Sequence, residues 1–267
     1  MNTSYLGIHI TNGRQAFHFA ALDEDLRILA LGKGDLREMT AFAGGQANTL
    51  AAVGGPVHLL RPGEHPDPIS AGEDPPGGSP SAGGRACRSV EKELSRLGFD
   101  LPHTPQKIKD CPEWMRSSFN LHTTLRWMGY LPLPSDAPRR CAETWADAIF
   151  WALLGKPALP SVTLEGRLQR QLILFDLKLP VSDPMNFFEE ITRFKLRRGN
   201  LPLDAIYAAE ELDALAVAYC AWQSIHQPEQ MLHLGSAGDG SEPHFILPRP
   251  QEQLQEKTAA IFPNLRL

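Results

Sequence analysis

Short apolar runs separated by clusters of turn residues open the chain. Residues 5–10 form the first run, and Thr11-Asn12-Gly13-Arg14 follows with Asn-Gly at its centre, a tight hairpin signal. Residues 16–22 form a second run, Asp23-Glu24-Asp25 turns the chain again, and residues 26–31 form a third. Three strands joined by tight turns are neighbours and antiparallel, so the pattern predicts a meander. Asp35, with Glu38 three residues on, predicts a capped short helix through Ala43. Residues 49–53 then read as a fourth strand, ending at Gly54-Gly55-Pro56. A strand reached through a helix is expected to lie parallel to one already in the sheet.

The spacing changes to helical further on. Residues 86–97 carry Val90, Leu94 and Leu97 on one stripe and stop at Gly98. Residues 112–128 carry Trp114, Phe119, Leu121, Leu125 and Met128. Residues 141–145 suit a short strand, and residues 146–154 a helix ended by Gly155. A helix over 164–177 carries Leu168, Leu172 and Phe175. Another over 184–198 has Pro184 just inside an Asp183 cap. The most apolar helix covers 210–225, with Leu212, Leu215, Ala216, Tyr219 and Trp222. Residues 231–234 and 244–247 read as a terminal hairpin. Together these elements predict one α/β domain over 1–267, a mixed sheet of an antiparallel meander plus parallel strands, flanked by helices. Residues 61–84 break the pattern: twelve of these 24 are Gly or Pro, which reads as a mobile loop within that domain.

Composition narrows the function classes. The chain has 267 residues and a formal charge of −5, so a strongly basic nucleic-acid coat is absent. No run of about 18 apolar residues offers a membrane span. The first residues lack the charged and apolar regions of a secretory signal, so a cytoplasmic protein without a membrane partner is expected. Cys87, Cys111, Cys141 and Cys220 show no Cys-x-x-Cys spacing, which fits free thiols rather than a thiolate zinc site. No Gly-x-Ser-x-Gly elbow supports serine catalysis. The Gly-rich stretch 235–240 lacks the Lys-Ser/Thr of a phosphate loop and reads as a hairpin turn.

Several segments carry a family likeness. They are residues 7–22, with Phe-x-x-Ala-x-Leu at 17–22, and Gly55-Pro56 after the fourth strand. Arg85-Ala-Cys-Arg-Ser-Val-Glu-Lys-Glu-Leu-Ser-Arg-Leu-Gly98, Met115-Arg116 and residues 125–130 follow in order. Glu143-Thr-Trp145, Leu154-Gly155-Lys156, Glu165-Gly-Arg-Leu-Gln-Arg170 and Glu211-Leu-Asp-Ala-Leu-Ala216 complete the set. In this order they resemble a family of bacterial and archaeal proteins described as predicted ribonuclease-H-like nucleases, over most of the chain. The resemblance implies a ribonuclease-H-like sheet and a metal-dependent nuclease (hydrolase) site. In such sites carboxylates at one sheet edge hold two Mg²⁺ or Mn²⁺ ions about 3.5–4 Å apart.

This chain departs from that pattern. The first-strand position holds His9, and the position before x-Pro holds Gly54. Glu143 and Asp213 match the two remaining acids. Asp213 begins an apolar helical stripe, where an acid is costly unless paired or exposed. Glu143 has the alternative of a salt bridge to Arg139 or Arg140. The expectation is therefore a partly lost metal site of His9, Glu143 and Asp213, weak for Mg²⁺ and better for Mn²⁺. Phosphodiester hydrolysis would be weak or absent, while contact with nucleic acid or a phosphate-bearing ligand persists. Such contact falls to Arg85, Arg116, Arg167 and Arg170, which lie within the matched segments. Two alternatives remain open: a non-catalytic scaffold that binds a protein partner, and a single-metal Mn²⁺ nuclease on the same three ligands. His18 and His122 read as structural.

Overall fold

A computed structural model describes residues 3–61, 87–99, 101–235 and 244–250. The opening meander is β1 (Ser4–Ile10), β2 (Phe17–Leu22) and β3 (Ile28–Gly34), paired antiparallel. The short helix α1 (Leu36–Gly44) starts on the expected capping box, in which Asp35 accepts from the Glu38 N–H and Glu38 from the Asp35 N–H, each at 2.9 Å. It leads to β4 (Thr49–Gly54), parallel to β1.

Next come α2 (Ser89–Arg96), α3 (Glu113–Trp127), the two-residue β5 (Leu131–Pro132) and β6 (Arg139–Thr144). Helices α4 (Ala146–Leu154) and α5 (Leu164–Asp176) follow, then α6 (Asn186–Glu190), α7 (Arg193–Arg197) and α8 (Ala209–His226). β7 (Met231–Leu234) and β8 (Phe245–Pro248) close the order. The eight strands among the described residues form one mixed sheet in the order β3-β2-β1-β4-β6-β8-β7, with β5 beside β6. The molecule is thus α/β, with antiparallel and parallel strands flanked by helices. The terminal strands pair antiparallel as expected. The Gly/Pro-rich segment lies outside the described residues apart from Arg61, and no helix among the described residues is long and apolar enough to cross a membrane.

One helix of the sequence reading is two. Residues 184–198 break at Thr192, whose hydroxyl accepts from the Lys195 N–H at 3.1 Å and so caps a new helix. A threonine inside an apparent helix competes for backbone donors, and here it restarts the chain.

The sheet has two covered faces. Leu6, Ile8, Ile10 and Val53 pack with Met39 of α1 and Leu121 and Leu125 of α3 on one face. The other face carries α8, α4 and α5. Helix α8 lies against β1 at Gly7, where a Cβ would fall on the backbone of Ala214 and Ala218, 2.7 Å from the Ala218 Cα. Nothing there can rotate away. Gly7→Ala therefore separates α8 from β1 and costs about 3 kcal/mol, the upper end of ordinary overpacking. A lower midpoint in urea unfolding checks this.

Candidate functional site

The carboxyl ends of β1, β4 and β6 border a cleft of about 280 Å³, lined by His9, Asn12, Gly54, Trp114, Trp145 and Asp147 among others. Trp114 and Trp145 meet edge-on, with ring centroids 5.3 Å apart. Asn12, from the β1–β2 turn, accepts from the Trp114 N–H at 3.2 Å and so satisfies a donor in the first turn of α3.

His9 and Asp213 do come together: His9 Nε2 stands 3.6 Å from Asp213 Oδ2. Asp213 sits in the first turns of α8 and is 5% exposed. Its other oxygen accepts from Arg170 Nη1 at 2.7 Å, while Arg170 Nη2 donates to Asp147 at 2.6 Å. Arg170 is buried, its guanidinium 4.6 Å from the centre of the Phe150 ring. Burial pushes the Asp213 carboxyl up to about 7, against the pull of Arg170. Burial also lowers His9 to about 4, so its imidazole is neutral at physiological pH.

Glu143 does not join them. Side chains alternate along a strand, and partners in register share a face. Gly54 pairs with Thr144, and a Cβ on Gly54 would lie 3.7 Å from Val217 of α8. The Thr144 hydroxyl lies 3.7 Å from Cys220 Sγ, also on α8. Glu143, one residue earlier, pairs with Val53 and points to the α3 face. There it is 2% exposed and held by Arg88, with Nη1 and Nη2 at 2.8 and 2.6 Å. The Val57 N–H adds a bond at 3.2 Å. Its partner is thus Arg88, not the expected Arg139 or Arg140. Arg139 instead donates to the carbonyls of Gln46, Met128 and Gly44.

The three-ligand set of His9, Glu143 and Asp213 is consequently split between the two faces of the sheet. The residues present do not fit a two-metal centre. Arg170 fills the position beside Asp213, Arg88 takes both oxygens of Glu143, and Gly54 brings no side chain. Among the described residues, no group of three or more His, Cys, Asp or Glu is arranged to hold a metal ion.

The arginines expected to grip phosphate also divide. Arg170 lies on the buried stripe of α5, with Gly166, Gln171 and Leu174, and serves the interior. Its guanidinium is held within the protein by Asp213 and Asp147. Arg167 is half-buried, Arg116 is exposed on α3, and Arg85 lies outside the described residues. The sequence reading missed Asp147, Trp114 and Trp145 as cleft residues. Asp147 and Trp145 follow the end of β6, the kind of position where an α/β sheet presents its ligand groups; that position was the available signal. Comparison with family models, curated proteins and solved structures finds no match to this chain.

Proposed function

We propose that the chain is a ribonuclease-H-like protein in which internal ion pairs have replaced the hydrolytic metal centre. It uses the strand-edge cleft to hold a nucleic-acid or phosphate-bearing ligand without cutting it. The reading is supported by the strand order β3-β2-β1-β4-β6, with a meander followed by parallel strands. The observation that carries it is Arg170, a buried cation between Asp213 and Asp147, next to the His9 end of β1. A guanidinium supplies the positive charge that a divalent ion would otherwise bring, but it has no open coordination position and activates no water. Trp114 and Trp145 supply aromatic surface on which bases stack without regard to sequence.

A second reading, a scaffold for a protein partner, is favoured by the surface of α6 and α7. Phe188, Phe194 and Leu196 are 53%, 63% and 59% exposed there. Exposed apolar side chains near one another mark interaction surfaces.

Two titrations test the proposal. Calorimetry with Mn²⁺ is expected to show no saturable binding, and a single-stranded RNA oligonucleotide is expected to remain uncut in its presence. Fluorescence anisotropy with the same oligonucleotide is expected to show binding that Trp145→Ala weakens about tenfold. Mn²⁺ binding with cleavage would restore the catalytic reading. Absence of oligonucleotide binding would leave the scaffold.

A further inference from the structure

On the α3 face of the sheet lies a second cavity, of about 260 Å³. It is walled by Val57 and His58 after β4, Pro132 of β5, and His122, Arg126 and Trp127 of α3. Neither the strand-edge cleft nor the ion pairs of Arg170 use it.

His122 is 5% exposed, and its Nε2 lies 3.2 Å from the carbonyl oxygen of Gly55. A carbonyl only accepts, so Nε2 carries the proton and Nδ1 is left with a lone pair. That Nδ1 is buried and has no hydrogen-bond partner among the described residues. Buried acceptors without a partner are rare, and leaving one unmade is costly. Burial also lowers the His122 pKa to about 4, which keeps the ring neutral and Nδ1 an acceptor at physiological pH.

The rest of the wall limits what donates to it. Trp127, the last residue of α3, is 87% exposed although it lines the cavity. An indole so open to water offers a flat apolar surface to a ring laid on it. Arg126 and Arg61 also line the cavity, and none of the described residues lining it is acidic. A guanidinium has five donors, so a contact within the chain leaves it able to face an anion as well. The volume falls below the roughly 300–1,000 Å³ of drug-sized pockets, which suits one ring system with one anionic group.

We propose that this cavity is a binding site for a mononucleotide-like ligand, a flat ring bearing an N–H joined to a phosphate. On binding, a small shift of His122 uncovers Nδ1, which is closed off in the free protein, to accept the ring N–H, while Trp127 covers the ring and the phosphate faces Arg126 and Arg61.

The test is calorimetry on the full chain with adenosine 5′-monophosphate, adenosine and inorganic phosphate as probes. The monophosphate is expected to bind saturably, with adenosine and phosphate each about tenfold weaker or more. Trp127→Ala and Arg126→Gln change exposed side chains and leave the fold intact. Trp127→Ala is expected to weaken the monophosphate about tenfold. Arg126→Gln is expected to weaken the monophosphate but not adenosine. His122→Phe, which removes the acceptor and keeps an aromatic ring, is expected to abolish the preference for a ring with a donor. The proposal is overturned if the monophosphate shows no saturation at about 10 mM. It is also overturned if phosphate alone binds equally well, or if Trp127→Ala and Arg126→Gln leave the affinity unchanged.

Discussion

Arg88→Ala is expected to destabilise the fold by about 3–5 kcal/mol, the loss typical of breaking a buried ion pair from one side. Arg88 is 5% exposed and holds both oxygens of Glu143, itself 2% exposed. Its second guanidinium neighbour is Glu91, at 3.9 Å and also buried. Removing the guanidinium leaves two carboxylates in the interior: among the described residues Glu143 keeps the Val57 N–H, and Glu91 keeps the N–H groups of Arg88 and Thr104, the Thr104 hydroxyl and His103 at 3.7 Å. The desolvation of those charges, more than the lost attraction, sets the size of the effect. Urea unfolding followed by circular dichroism measures it as a lower midpoint at unchanged slope. Arg88→Met combined with Glu143→Met is expected to recover part of the loss, because the Glu143 charge is then no longer left buried without its cation, while Glu91 remains. A loss under about 1 kcal/mol in the single variant would mean that the pair behaves like a surface salt bridge.

Acid is expected to destabilise the protein between pH 6.5 and about 4 through its buried histidines. His122 and His9 are both lowered from 6.5 to about 4 by burial. In that window the unfolded chain binds a proton that the folded chain refuses. The stability these groups confer is therefore present above 6.5 and is lost as pH falls through the folded value. A shift of that size corresponds to about 3 kcal/mol for each histidine. Asp213 works the other way. Its carboxyl is raised from 3.8 to about 7, so its contribution is present below 3.8 and is lost as pH rises through 7. His9 and Asp213 are neighbours and largely offset each other. His122, on the other face, has no neighbour that offsets it in this way: Glu143 and the Gly55 carbonyl favour its charged form, while Arg88 and Arg126 oppose it. The net fall on acidification is about 3 kcal/mol, and His122→Phe is expected to flatten it. Denaturant midpoints measured across that pH range decide the matter; an unchanged slope in the variant would assign the acid sensitivity elsewhere.

Much of the architecture is written locally. Asn12-Gly13 turns β1 into β2, Asp35 and Glu38 start α1, and Gly155 ends α4 in the left-handed conformation, with φ of 69°. These are effects of adjacent residues, so they are visible in a string of letters. The same is true of the order in which helices and strands alternate. It fails where a single hydroxyl decides, as at Thr192, and where an element is too short to show a period, as at β5.

The candidate site was legible in part. His9 and Asp213 stand out because a polar group interrupts an apolar pattern, and such a group needs a partner wherever it is buried. Glu143 stands out for the same reason, yet belongs elsewhere. A strand shows which residues alternate, but not which of its two faces meets α8 and which meets α3. That follows from the pairing of β4 with β6 and from the side on which each helix crosses.

The sequence by itself therefore determined the elements, their caps and the presence of buried polar groups, because these depend on neighbours along the chain. Only the tertiary structure decided the partners of those groups. Asp213 lies 43 residues from Arg170, and Glu143 lies 55 from Arg88. A burial cost is a property of one residue, but its compensation is a property of whatever the fold brings within hydrogen-bond reach.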